Sequence, residues 1–478
     1  MLPTLAGALL TGWLTVKVLT YKQVDDPIRL QSKAAYLGKV STGSELRRQN
    51  NKPNILLILY DDLGLGDLGF SGASAIKTPN IDALARDGVI FNNFHAAAAI
   101  CSPSRASLLT GRLPHHAGVQ SVVFPSDSWM RLFSILPGFN VRIPAEEITL
   151  ADILKADGYK TAMVGKWHIG DRAPSLPHLM GFDQFFGALY SNDMEPFALY
   201  RDDAVELDAP IDQDQLDEIY TNEMVRLISE SSESAAPFFL YFAHNFPHEP
   251  LHAPAAQRGS SDAGLYGDVV ESLDAGIGEI VDSLKSEGLF ENTLIILTSD
   301  NGPWYQGNPA GLRGRKGQTF EGGTRVPMLI HWPGGLSDVT DVDVQAMAID
   351  ILPTILDWLS IPLPDDRQID GRSLSPLLAG EASARDGYLY FYSSGKLMAV
   401  SDGRFKYHAA QPLPYTISGS GFTAMKKKGP WLINLSSDPY ESYNVADRYP
   451  EVADRLSRVL TDTRVRDLEN PRGWIDPS

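Results

Sequence analysis

One cysteine stands among 478 residues, so no disulfide can form within the chain and no disulfide scaffold holds it. Sulfur usage therefore says nothing of the compartment. Basic residues are also in deficit, with 41 Lys and Arg against 59 Asp and Glu and a net charge of −18. That balance excludes broad nucleic-acid binding, and any anionic ligand must meet a local positive field. The uncharged apolar stretch at the N-terminus, Leu2 to Val16, falls short of the ~20 residues that span a bilayer comfortably. Repeats of solenoid period and low-complexity tracts are missing too.

What remains is ordinary for a large globular protein: 43% hydrophobic and 21% charged residues, enough for a sizeable core and more than one unit. Leu2 to Val16 is uncharged, with Leu5, Leu9, Leu10, Trp13, Leu14 and Val16 making it apolar. A signal peptide or an uncleaved anchor is expected there. It implies the secretory route, a periplasm, a lysosome-like compartment or a membrane tether through the N-terminus. Asp25 to Asn51 is polar with weak periodicity and reads as a stalk. The expected divisions are 1–51 for leader and stalk, 52–386 for an α/β catalytic domain, and 387–478 for a smaller α+β unit.

Asn54 to Tyr60 is a continuous apolar run, the pattern of a central parallel strand covered on both faces. It ends in Asp61-Asp62. A capped helix follows at Thr78 to Gly88, and a strand at Val89 to His95. The same alternation recurs: helix Thr149–Asp157, strand Tyr159–Val164, helix Asp214–Ser231, strand Phe238–Ala243, helix Tyr266–Glu287 and strand Thr293–Thr298. Strands alternating with helices predict a doubly wound, mostly parallel α/β sheet. Beyond Gly387 short runs (Tyr388–Tyr392, Leu397–Ser401, Phe405–His408, Trp431–Asn434) predict a small antiparallel sheet. A helix from Pro450 to Val465 closes the chain.

Ligands of doubly wound sheets bind at the carboxyl ends of strands, and several polar clusters of this chain each fall at such an end. The clusters are therefore expected to converge on one edge. Asp61 and Asp62 would repel each other unless a cation sits between them. With Asp300-Asn301 they offer three carboxylates and an amide oxygen, a set suited to Ca²⁺ or Mg²⁺ and not to zinc. Lys166 and His168 alternate after one strand, and His248 sits in a stiff Pro-His-Glu-Pro loop. Lys316 lies in a glycine-rich loop whose cation could grip an anion. The lone Cys101 precedes a helix start, with Ser102 suited to the N-cap, Pro103 to the first helical position and Gly111 to the stop. Facing that helix end, with Arg105 one turn away, its thiol should have a lowered pKa.

Cys101-Ser102-Pro103-Ser104-Arg105-Ala106-Ser107-Leu108-Leu109-Thr110-Gly111-Arg112 resembles, position by position, the signature of type I sulfatases. Gly165-Lys166-Trp167-His168-Ile169-Gly170, Pro247-His248-Glu249-Pro250 and the loop Gly314–Gly323 resemble further blocks of that family, over roughly Asn54 to Asn444. The resemblance implies an alkaline phosphatase-like fold and oxidation of Cys101 to Cα-formylglycine by a formylglycine-generating enzyme. It also implies one divalent metal, calcium before magnesium, on Asp61, Asp62, Asp300, Asn301 and the modified Cys101. Arg105 would stabilise the nucleophile, Lys166 and Lys316 would hold sulfate oxygens, and His248 would serve the leaving oxygen. His168 would help expel sulfate. Tyr190-Ser191-Asn192-Asp193 is similar to the arylsulfatase A branch, where the matching serine touches substrate. His408 is expected to reach the pocket from the second unit. The implied substrate is a sulfated small molecule, or a sugar or lipid sulfate. Phosphate or phosphonate ester hydrolysis and a non-catalytic binding role are the competing readings.

Overall fold

The computed structural model describes residues 21–47, 52–336, 341–409, 411–412 and 427–476. The apolar leader at 2–16 lies outside them. Among the described residues no helix is long and apolar enough to cross a membrane.

The chain is built on a nine-stranded mixed sheet. Its strands are β1 (Asn54–Tyr60) and β2 (Val89–Ile90), then, past the two-residue β3 (Phe94–His95) outside it, β4 (Lys160–Gly165), β5 (Gln184–Gly187), β6 (Leu199–Arg201) and β7 (Ala204–Leu207). β8 (Phe238–Ala243), β9 (Thr293–Ser299) and β10 (Met328–His331) complete it. The spatial order is β2-β10-β9-β1-β8-β4-β5-β6-β7. The five central strands, β9 to β5, run parallel. The pairings at both edges are antiparallel.

All seven residues of β1 are buried, and the two-residue pleat divides them between two cores. Ile55, Leu57 and Leu59 pack on one face, among residues of helices Cys101–Thr110, Leu150–Ala156 and Ile351–Trp358. Leu56, Ile58 and Tyr60 pack on the other, with helices Pro79–Arg86, Leu216–Ser232 and Gly264–Ser286. Helix Leu150–Ala156 opens with a capping box between Thr149 and Asp152, which satisfies backbone donors that the first turn leaves orphaned.

A four-stranded antiparallel sheet follows, built from Leu389–Ser393, Lys396–Ser401, Phe405–His408 and Trp431–Asn434. Helix Pro450–Glu469 adds Leu456 and Leu460 to the first core.

Two local expectations need correction. Residues 27–47 are not a stalk but a 21-residue helix, Pro27–Arg47. Its side chains hold the fold: Lys33 pairs with Asp152 at 2.8 Å and Tyr36 donates to the Pro362 carbonyl at 2.7 Å. Val89 to His95 is two short strands in different sheets, not one.

Candidate active site

Each parallel strand delivers a site residue at its carboxyl end. β1 runs into Asp61 and Asp62, β4 into Lys166 and His168, and β9 into Asp300 and Asn301. Asp62 and His168 both adopt left-handed backbone, φ 66° and 63°, a conformation that costs ~1–3 kcal/mol for such residues and clusters at functional sites. Gly165 makes the turn after β4 feasible. Its φ is 107° and a Cβ there would lie 2.0 Å from the Ala243 carbonyl oxygen. That close approach lets Lys166 N–H donate to the same oxygen at 2.6 Å.

Cys101 is the first residue of helix Cys101–Thr110, and extended Ile100 occupies the N-cap, two residues earlier than the expected Ser102. Ser102 instead accepts from the Val123 N–H at 3.0 Å, fastening the following loop. Gly111 ends the helix in left-handed conformation, φ 67°, as expected. The expected lowering of the thiol pKa is reversed. Burial and the Asp61 carboxylate push it well up, against the opposing pull of Lys166 and Lys316.

The remaining residues close around that thiol. Cys101 Sγ lies 3.3 Å from Asp61 Oδ1. Arg105, fully buried, donates from Nε to Asp300 Oδ2 at 2.8 Å and from Nη1 to the Lys166 carbonyl at 2.7 Å. Lys166 Nζ pairs with Asp61 Oδ2 and donates to Ser191 Oγ at 3.1 Å. Ser191 Oγ in turn stands 3.4 Å from His248 Nδ1, and His248 Nε2 is 3.9 Å from Asp62 Oδ2. Lys316 Nζ reaches both Asp62 oxygens at 2.8 and 2.9 Å. The Lys316 loop is pressed onto the turn after Asn301, because Gly302 leaves room for the Gly322 carbonyl, 2.2 Å from where a Cβ would be.

Three carboxylates thus meet three cations in a buried cluster. Burial works against the charge of Asp61, but Lys166, His248, Arg105 and Lys316 together hold its carboxyl well below the usual range. Asp300 moves the other way, raised by burial and by Asp61 despite Arg105. His248 is lowered by burial, with Lys166 and Lys316 adding to it. His168 is lowered well below the ordinary histidine value by burial, Lys166 and Arg105. Both its ring nitrogens are buried without a hydrogen-bond partner.

A divalent ion fits this set. One ligand atom each from Asp61, Asp62, Cys101 and His248 lies within 4.8 Å of the others. Asn301 Oδ1 is buried and has no hydrogen-bond partner, a cost of ~1–3 kcal/mol that a cation would remove.

His408 departs from expectation. It lies on the strand Phe405–His408, fully buried, bonded to Glu441 Oε1 at 2.7 Å, and does not line the catalytic cavity. Three cavity residues escaped sequence reasoning: Asp193, Glu249 and Trp304. Their one signal was adjacency, since each follows a recognised site residue by one to three positions.

A parallel sheet gathering carboxylates, cations and a nucleophilic helix start at one edge defines a hydrolase of the alkaline phosphatase-like fold. Within that class the chain belongs to the sulfatase family, whose profile matches residues 53–361. The C-terminal profile of N-sulphoglucosamine sulphohydrolase matches residues 315–466. Arylsulfatase A of Homo sapiens is 35% identical over 457 residues, covering 85% of this chain and 87% of that protein. N-acetylgalactosamine-6-sulfatase of Mus musculus is 33% identical, covering 85% and 84%. Among solved structures, PsFucS1 sulfatase from Pseudoalteromonas sp. superposes with a TM-score of 0.78 at 27% identity, covering 94% of this chain and 96% of that one. The protein is a sulfatase.

Proposed function

We propose that this sulfatase cleaves sulfate monoesters at Cys101 after a formylglycine-generating enzyme has oxidised that residue to Cα-formylglycine. One divalent ion, calcium in preference to magnesium, would be held by Asp61, Asp62, Asp300, Asn301 and the modified residue 101. The observation that carries the reading is the placement of Cys101 Sγ, 3.3 Å from Asp61, inside a buried set of three carboxylates and three cations. Hard oxygen donors favour calcium or magnesium over zinc.

When bound, the ion stabilises negative charge on oxygen and favours ionised hydroxyl. The modification supplies a hydrated aldehyde, with one hydroxyl as nucleophile and a second that gives a route to release, which a thiol lacks. The chain's own residues do the rest. Arg105 keeps positive charge beside residue 101 while anchored to Asp300. Lys166 and Lys316, balanced by Asp61 and Asp62 in the resting site, take sulfate oxygens as charge builds. His248 delivers a proton to the leaving alcohol oxygen, and Ser191 links it to Lys166. His168, neutral and unpartnered, accepts a proton near residue 101. Three carboxylates against three cations sum to zero, so a divalent ion leaves the site net positive, the sign an ester sulfate requires. The leader at 2–16 would carry the protein into the secretory route or tether it to a membrane.

The test is a mass spectrum of the tryptic peptide containing Cys101, from protein made in its native host. It is paired with sulfate release from 4-nitrophenyl sulfate, with and without chelator. A peptide about 18 Da below the cysteine form, with chelator-sensitive release, is expected. An unmodified thiol in active protein overturns the reading, and so does hydrolysis of 4-nitrophenyl phosphate in preference to the sulfate.

A further inference from the structure

The cavity above the charge cluster has a volume of about 540 Å³, and its lining changes with depth. Asp62 is buried and paired with Lys316, so the floor belongs to the sulfate grip. The outer lining is Asp193, Glu249 and Trp304, of which Asp193 is exposed and Glu249 half-buried. Trp304 is 40% exposed, a large aromatic face left open at a cavity. It is held in place from two sides: Tyr305 meets its ring edge-on at 4.8 Å, and Arg315 donates to its carbonyl at 2.5 Å.

We infer that this outer zone is a leaving-group subsite for a neutral sugar ring, and that Asp193 and Glu249 turn away substrates bearing a second anionic group. The inference rests on the sulfatase reading of the floor. An indole face covers the C–H face of a pyranose without needing a charge partner. Carboxylates accept hydrogen bonds from ring hydroxyls, and a few convergent polar groups beside an apolar surface set orientation. The charge balance supplies the selectivity. Among the described residues, no lysine or arginine stands within salt-bridge distance of Asp193 or Glu249, and Glu249 is met instead by the neutral amide of Gln306. Lys316, the cation of the cavity lining, is committed to Asp62. A second sulfate or a uronate carboxylate in the outer zone would face two carboxylates with no cation in salt-bridge reach, in a molecule of net charge −18.

The experiment compares kcat/KM of the formylglycine-bearing enzyme for galactose 6-sulfate and for a galactose carrying two sulfates, in wild type and in the Asp193→Asn/Glu249→Gln variant. Wild type is expected to favour the monosulfated sugar by about tenfold or more, and the variant to narrow that ratio by about tenfold. Raising salt to 0.5 M should narrow the wild-type ratio as well, since both carboxylates are open to solvent. Trp304→Ala should raise KM for galactose 6-sulfate several-fold, with a smaller change in kcat. Presenting the same sulfated headgroup on a lipid in detergent distinguishes a glycolipid from a free sugar, and preferred turnover of either form supports the subsite. Equal turnover of mono- and disulfated sugars, or a ratio unmoved by the double variant, overturns the inference. Absence of sulfate release from 4-nitrophenyl sulfate as well would overturn the floor's assignment, a distinguishable failure.

Discussion

Two clusters of buried charge lie in this molecule, and they differ in what surrounds them. The first, around Cys101, sits at the strand ends beneath a cavity. The second lies between the four-stranded sheet, which supplies Lys406 and His408, and the segment Glu321–Arg325. There Lys406 pairs with Glu321 at 2.7 Å and approaches Glu441 at 3.6 Å. His408 bonds Glu441, whose other oxygen accepts from the Glu321 N–H at 2.6 Å. Arg325 and His95 stand 3.7 and 3.8 Å from Glu321. Both clusters match carboxylates with cations. The second is sealed by packing, with Lys406 over the Phe391 ring at 4.2 Å and Phe320 beside His408. The first opens onto a cavity. Left-handed backbone occurs in both, at Asp62 and His168 in the first and at Glu441 in the second, and so do buried atoms without a hydrogen-bond partner: Asn301 Oδ1 and the His168 ring nitrogens in the first, Glu321 Oε2 and His408 Nδ1 in the second. Buried charge alone therefore does not mark a catalytic site. Buried charge beneath an opening that a ligand can enter does.

The sharpest way to break this comparison is to remove one lysine from each cluster. Lys166→Met in the open cluster should lower kcat/KM for an aryl sulfate by about a thousandfold, roughly 4 kcal/mol of transition-state stabilisation. With calcium present its thermal midpoint should stay within a few degrees of wild type, because the ion supplies compensating charge. Lys406→Met in the sealed cluster should do the reverse. It strands Glu321 and Glu441 without their cation, at a cost of about 3–5 kcal/mol in guanidinium denaturation. Turnover per folded molecule should fall less than tenfold. If Lys406→Met proves as stable as wild type, the second cluster is not holding the four-stranded sheet to the segment Glu321–Arg325.

Chelation should separate the two clusters by a smaller effect. Removing the divalent ion should abolish sulfate release and lower stability by about 2–3 kcal/mol relative to protein at a hundredfold excess of calcium over Kd. Restoring calcium recovers both in wild type. In Lys406→Met, calcium should still raise stability by the same increment, since the clusters share no ligand. Unequal increments would mean that the two are coupled.

The open cluster was far more legible in sequence than the sealed one, for a physical reason. Parallel strands buried on both faces must be long apolar runs, and the residues just past such runs must lie on one edge. β1, β8 and β9 therefore announced Asp61, His248 and Asp300 directly. The sealed cluster is assembled from His95, Glu321, Lys406 and Glu441, which no periodicity links. The helix Pro27–Arg47 was misread for a related reason. Its amphipathic pattern is weak, and its placement depends on distant partners such as Asp152, Pro362 and Asp476. Trp304 and Asp193 carry no signal beyond adjacency to site residues, because exposure at a cavity follows from loop geometry rather than from composition.

The smallest expected effect concerns the pH response of the sealed cluster, through His95. Burial lowers its pKa to about 4; Lys406 and Arg325 add to that, and Glu321 offsets part of it. In the unfolded chain the same imidazole titrates near ~6.5. Between these values the unfolded state binds a proton that the folded state refuses. The His95 contribution is thus fully present above about pH 6.5 and is lost progressively as pH falls towards 4, by up to ~3 kcal/mol. Glu321, held below the usual carboxylate range against its burial by Lys406, His95 and Arg325, loses its contribution only at lower pH, below about 4.5. The two windows can therefore be told apart. Urea denaturation of wild type and His95→Gln at saturating calcium, from pH 7 to 4.5, should give a variant whose stability declines less steeply, by about 2 kcal/mol across the range. Only the slope is read, so any constant loss from the substitution does not interfere. Parallel declines would mean that His95 titrates alike in the folded and unfolded chain and adds nothing to the acid response of the sealed cluster.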